Sequence, residues 1–435
     1  MLLSMNLLFW RVKNGRRLVF DAFSWQIPEE RCLPDDAPLR AQKIAKKGVK
    51  MTKRVRSEEL TKQLNEALQS EGIPGAVALV TTKEQVIYDA AFGWSNVGKS
   101  EKMRSGCLFR IASMTKAITS LCVMQLVEKS LIEIDDPIRN HMPDLPAFQV
   151  FTSFDENTGQ FKTRPAARDM TIKHLLTHTA GLALWFNSPT LFNLGEGKKM
   201  RQSWRYPLHH DPGERWTYGD ATALLGELIA HKTGQSIEAY MRQNIFDPLQ
   251  MSDTGFSLNK AQTCNLVTLH HRDEQGFREK SNPDEIVEKG FGDGGLISTA
   301  SDYAKFMRVF LNKGRSDDGK PILRPDLILE MGKNHIVDVE LRCQISSDPV
   351  SAKDFPQGAG VDRWGLGFQI TAQKRPHMRP VGSLSWGGLF NTKFWIDPQN
   401  EIAAVLLMQY LPFDDEAHIR VLNAFETGIY QSLVC

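Results

Sequence analysis

The chain has 435 residues, 41% of them hydrophobic and 24% charged, with 53 Lys plus Arg against 51 Asp plus Glu. That length exceeds what one simple core serves, so two subdomains or a domain with an insertion are expected, and the near balance of charge supplies no field that would select nucleic acid as a partner. No run of about 18 apolar residues predicts a bilayer span, and six cysteines without a C-x-x-C pair suggest neither a zinc ribbon nor a disulfide framework. The composition is that of a soluble cytoplasmic protein whose partner is a small molecule.

In chain order, residues 1–55 read as an extension: irregular, Pro-containing, then basic through Lys43, Lys46, Lys47, Lys50, Lys53 and Arg54. Met1 to Trp10 is apolar, but its positive charges follow the apolar run and no small-residue cleavage site is evident, which argues against a signal peptide. Ser57-Glu58-Glu59-Leu60 opens a capped amphipathic helix running to Glu71 and ending at Gly72. Gly75 to Thr82 and Gln85 to Phe92 are β-branched, apolar runs around Lys83-Glu84, a hairpin signal. The section 106–290 is dominated by helical periodicities and loops. Strand patterns return at Gly365 to Thr371, Gly382 to Asp397 and Ile402 to Tyr410, and an amphipathic helix spans Asp415 to Leu433. The expected architecture is therefore α/β (α+β): a sheet-containing subdomain from 56–105 and 291–435, with a mainly helical subdomain from 106–290 inserted.

Ser113-Met114-Thr115-Lys116 is the most informative motif. Three residues is one helical turn, so a hydroxyl and an amine share a face at the start of a helix. A serine is a poor nucleophile until a base takes its proton; a lysine against an apolar wall can serve, and helix-start N–H groups favour negative charge beside it. S-x-x-K also arises by chance, and Ser257 to Lys260 is a second match, set before a polar stretch without an apolar face.

Four other patterns carry candidate chemistry. Gly93 to Ser100 matches G-x-x-x-x-G-K-S, but Gly106 breaks any following helix, so it reads as a surface turn and not a phosphate loop. His174 and His178 have metal-ligand spacing, but Leu175 stands where a zinc protease carries Glu and no third ligand presents itself; the pair reads as structural, with no metal or cofactor implied. Tyr218 precedes Gly219 and Asp220, with Asp220 the expected N-cap of a helix from Ala221 closing at Gly234, and a partly solvated phenol there suits proton transfer. Trp386-Gly387-Gly388-Leu389 places two glycines in an aromatic strand, which marks a bulge or a close approach; if the latter, the N–H groups of Leu389 and Ser113 form an oxyanion hole.

Taken together, the blocks Phe109 to Lys116, His174 to Leu182, Asp211 to Gly213, Leu225 to Ile229 with Lys232 to Gly234, Ile245 to Leu249, Gly294 to Asp302 and Trp364 to Phe368 resemble the serine β-lactamase and penicillin-binding-protein superfamily. The likeness is to the class C-like esterases called family VIII carboxylesterases and to related fungal acyltransferases, over residues 57–433. It implies a β-lactamase/transpeptidase-like fold with an antiparallel sheet, Ser113 as the acylated nucleophile, Lys116 and Tyr218 sharing acid/base work, and Trp386 to Leu389 in place of K-T-G. Two departures matter. The family's Y-x-N is Tyr218-Gly219-Asp220 here, and an ionised Asp220 near Lys116 would hold the lysine's proton unless it turns away as an N-cap. Trp386 replaces the K-T-G lysine and cannot pair with the carboxylate of β-lactams, but it can wall an apolar pocket. Small neutral esters are the expected substrates, with acyl transfer to an alcohol as the alternative and a non-catalytic binding role as the more distant one.

Overall fold

The structure is a computed structural model that describes residues 53–195, 202–280 and 290–434. Most of the expected extension, with basic residues Lys43 to Lys50, lies outside them; Arg54–Val55 pairs antiparallel with Leu433–Val434.

Its frame is an eight-stranded antiparallel sheet. The strands are β1 (Gly75–Thr82), β2 (Val86–Asn96), β3 (Glu101–Lys102), β4 (Arg363–Trp364), β5 (Gln369–Ile370), β6 (Leu384–Gly388), β7 (Thr392–Asp397) and β8 (Ile402–Leu407), in the order β4-β5-β6-β7-β8-β1-β2-β3. Strands distant in sequence therefore meet at the centre, where Ala78 pairs with Leu406, Leu79 with Val405 and Val80 with Ala404. Period-two alternation sorts their side chains. Ala76, Ala78 and Val80 pack with α1 (Ser57–Ser70) and the C-terminal α5 (Glu416–Ser432), whereas Val77 and Leu79 join the core that contains α2 (Thr115–Glu128), α3 (Ala221–Thr233) and α4 (Ala300–Leu311). Leu60, Leu64 and Leu68, four apart, form the buried stripe of α1; burying each contributes about 1.5–3 kcal/mol.

Several sequence expectations shift in detail. Arg56, not Ser57, occupies the N-cap of α1, and Gly72 follows with φ 65°. The run Gly365 to Thr371 is not one strand but the two-strand turn β4–β5, since Gly367 has φ 95° and sits against Ser120. Gly382 to Asp397 is likewise a hairpin, turning through Leu389 to Asn391, whose φ is 61°. The middle section carries two hairpins the periodicity did not announce, Gln149–Phe154 with Phe161–Pro165 and His270–Asp273 with Gly276–Glu279. Among the described residues no helix is long and apolar enough to cross a membrane.

Candidate active site

Ser113 stands on a turn at the mouth of α2. Strand Phe109–Arg110 gives way to a single 3-10 turn, Ala112–Met114, and the helix proper begins at Thr115. Ala112 is left-handed, φ 43°, a conformation that costs a residue with a side chain about 1–3 kcal/mol. Hydrogen bonds from Thr115 Oγ1 to the Ala112 carbonyl (2.7 Å) and from Tyr303 Oη to the Met114 carbonyl (3.1 Å) hold the turn. Buried side chains from Thr115 to Leu126 seat α2 within the core, so the serine is aimed from a rigid base.

Lys116 is 2% exposed. Its Nζ donates to Ser113 Oγ at 3.3 Å and to the Asp293 carbonyl at 2.7 Å, lies 3.9 Å from an Asp293 carboxylate oxygen, and is 5.1 Å from the centroid of the Tyr218 ring. A buried amine needs such partners, because desolvation otherwise costs several kcal/mol. Asp293 reaches the lysine because Gly292 crosses α3 without a side chain: a Cβ there would strike the Thr222 carbonyl. Thr119 Oγ1 donates to the Gly292 carbonyl at 2.6 Å from the other side.

Tyr218 is buried, not partly solvated as the sequence suggested. Four other aromatic rings enclose it, with centroids 4.7 Å (His178), 4.9 Å (Trp386), 5.5 Å (Phe355) and 6.2 Å (Trp216) away. Its oxygen accepts the Trp386 indole N–H at 3.1 Å, so Trp386 is a hydrogen-bond donor within the site as well as an apolar surface. That bond occupies one face of the phenol and leaves the hydroxyl proton free to point elsewhere.

The paired glycines do allow close approach. A Cβ at Gly388 would run into the Ile111 carbonyl, which precedes the Ser113 turn, and Thr392 Oγ1 reaches the same carbonyl at 3.4 Å. Strand β6 is thus pressed against the serine's turn, with Leu389 at its end. At Gly387 the missing side chain is replaced by the stem of Lys393 from β7.

A model of the beta-lactamase family matches residues 58–428. The chain belongs to the beta-lactamase family. It is 27% identical over 396 residues to monacolin J acid methylbutanoyltransferase of Aspergillus terreus, covering 84% of this chain and 93% of that one. It is also 27% identical over 394 residues to the lovastatin esterase of Penicillium rubens, covering 84% and 96%. Among solved structures, unliganded simvastatin synthase from Aspergillus terreus superposes with a TM-score of 0.74 at 25% identity, covering 85% and 97% of the two chains. The β-lactamase-like fold expected from the sequence is therefore the fold of this family member, and relatives named for transferring and for cleaving acyl groups share it.

Asp220 corrects the sequence reading of this family member. It precedes α3 but its carboxylate caps nothing; one oxygen accepts the Ser203 N–H at 2.7 Å and the other the Ser203 hydroxyl. Burial and then the Asp293 charge push Asp220 up to about 6, against Ser203 and Lys116. The histidines are structural in placement. His174 completes a capping box with Thr171, its Nδ1 accepting the Thr171 N–H at 3.1 Å, and burial lowers it to about 4. His178 falls beyond that helix at φ 55°, and burial followed by the charge of Lys116 keeps it neutral. Elsewhere, Ser257 leads only into a cap in which Asn259 accepts the Gln262 N–H. Gly93 to Asn96 end β2 and Val97 to Ser100 turn into β3, with no helix following to cradle a phosphate.

Three residues of the site escaped the sequence reading. Asp293 was hidden one residue ahead of a recognised glycine block. Gln344 accepts the Tyr218 N–H at 3.1 Å, and Asn187 donates to the Tyr218 carbonyl at 2.9 Å. Asn187 ends a short 3-10 turn, Trp185–Asn187, and Gln344 lies in a loop; neither segment has a periodicity to announce it.

Proposed function

We propose that this protein is a serine esterase that cleaves small neutral carboxylic esters through an acyl-Ser113 intermediate. The observation that carries the reading is the hydrogen bond from buried Lys116 to Ser113, set beside Tyr218 and the end of β6. Ser113 Oγ attacks the ester carbonyl while the Lys116 and Tyr218 pair takes its proton and returns it to the departing alcohol. The N–H groups of Ser113 and Leu389 receive the developing oxyanion; no hydrogen bond engages the Leu389 N–H among the described residues. Water then releases the acid. Trp386 supports neutral esters over β-lactams, because an indole offers a carboxylate no charge.

Transfer of the acyl group to an alcohol is the second reading, favoured by the likeness to a methylbutanoyltransferase. Intact-mass measurement after mixing with p-nitrophenyl butyrate and with a fluorophosphonate tests the chemistry: adducts are expected on the protein and absent from Ser113→Ala. Labelling retained by that variant refutes the assignment. Product analysis with added alcohols separates the two readings, and a kcat/KM higher for cephalosporins than for p-nitrophenyl esters would overturn the substrate preference.

A further inference from the structure

Asp293 contributes two different groups. Its carbonyl is bound by Lys116 at 2.7 Å, whereas its carboxylate stands 3.9 Å from the same nitrogen, beyond hydrogen-bond reach. A carboxylate that is largely buried ordinarily has its lone pairs filled. That of Asp293, with its side chain 17% exposed, carries no hydrogen bond among the described residues, while the Lys116 side chain beside it is 3% exposed. The adjoining Gly294 packs next to the serine's turn: a Cβ there would touch the Ala112 main chain at 3.8 Å, ordinary van der Waals contact, so this loop and Ser113 are close neighbours. Asp220, the other carboxylate whose charge acts on Lys116, is fully enclosed and spent on Ser203. The Tyr218 oxygen already receives Trp386. Of these groups, the Asp293 carboxylate is the one whose oxygens carry no hydrogen bond among the described residues.

We infer that the Asp293 carboxylate accepts the proton of the incoming water or alcohol when acyl-Ser113 is resolved, an assignment that rests on the esterase reading above. As the incoming oxygen bonds to the acyl carbon, its proton passes to Asp293 and the carbonyl π pair becomes the oxyanion. Collapse restores the carbonyl and breaks the bond to Ser113 Oγ. The proton passes from Asp293 to the neutral Lys116 amine once the two close from 3.9 Å to hydrogen-bond distance, and from there to Oγ along the 3.3 Å contact, so enzyme and charge return to their starting state. Acylation draws on Lys116 and Tyr218 but not on Asp293, which makes the two half-reactions separable.

Asp293→Asn removes the base and keeps the main-chain bond to Lys116. With p-nitrophenyl butyrate in stopped flow, its burst of nitrophenol is expected within about threefold of wild type, while turnover falls by about 10²-fold or more and the acyl-enzyme persists by intact mass. Asp293→Ala is expected to behave likewise, with release accelerated by formate or azide, which supply a small base in the vacated space; Asp293→Glu is expected to recover part of the turnover. Equal deacylation rates in wild type and Asp293→Asn overturn the assignment. A parallel fall in burst and turnover, unrescued by formate or azide, overturns it as well, leaving Asp293 a positioning residue for Lys116. A wild-type protein that forms no Ser113 adduct at all refutes the esterase reading, and this proposal with it.

Discussion

Gly387 and Gly388 stand between two buried clusters of charge that solve the same problem in opposite ways. On one side Lys393, whose stem fills the space over Gly387, places its ammonium 2.8 Å from Asp414, with His418 at 3.3 Å from the same oxygen. Burial alone would raise Asp414, but Lys393 and His418 outweigh it and bring it down to about 2. On the other side, the turn pressed against Gly388 carries Ser113, and there Lys116 keeps 3.9 Å from its nearest carboxylate while burial and a like charge lift Asp220 to about 6. The pair at one end is in contact; at the other, Lys116 has no carboxylate within hydrogen-bond reach. The same residue types thus stand at different separations in the two clusters, and the looser one is the cluster proposed above to carry the chemistry.

The comparison can be broken most severely at the lysines. Lys116→Ala is expected to lower kcat/KM by about 10³-fold or more with a nearly unchanged melting temperature, because a proton carrier is lost; an unchanged rate in the ester assay would refute its role. Lys393→Met is expected to do the reverse, destabilising the fold by about 3–5 kcal/mol in urea titrations by leaving Asp414 with half its compensation. Equal stability would show that the pair contributes nothing net.

The carboxylates sharpen it further through pH. Asp220 is raised in the folded protein, so the unfolded chain loses its proton first and stability falls as pH rises from about 4 to 6, by about 2–3 kcal/mol. Asp414 is lowered, so its contribution is present above about pH 4 and is lost as pH falls toward 2. Denaturation midpoints across pH 3–7 should flatten between 4 and 6 in Asp220→Asn; a slope identical to wild type would contradict the burial assigned to Asp220. The smallest effect is expected of Trp386→Phe, which removes the indole bond to Tyr218 and should cost about tenfold in kcat with little change in KM.

Much of this molecule is legible in its sequence where the signal is periodic or covalently local. The apolar, β-branched run of β1, the amphipathic face of α1 with Leu60, Leu64 and Leu68, Gly234 closing α3 and the one-turn spacing of Ser113 and Lys116 all carry over because helix and strand geometry fixes them. What failed depended on packing between distant segments. The side chain of Asp220 had an N-cap available but turned to Ser203, and the exposure of Tyr218 was set by aromatic neighbours drawn from four separate stretches of chain. Asp293 offered no pattern at all, since its place beside Lys116 is made by the glycine before it.

That glycine has a consequence for how the protein can vary. Because the 2.7 Å partner of Lys116 is a main-chain oxygen, every side chain at position 293 preserves it, and the loop can explore chemistry there without disturbing the lysine. Bulk at position 292 has no such freedom: a single methyl would lever the loop off Thr222 and withdraw the oxygen, so the amine is tuned by a volume limit one residue away from the group it holds.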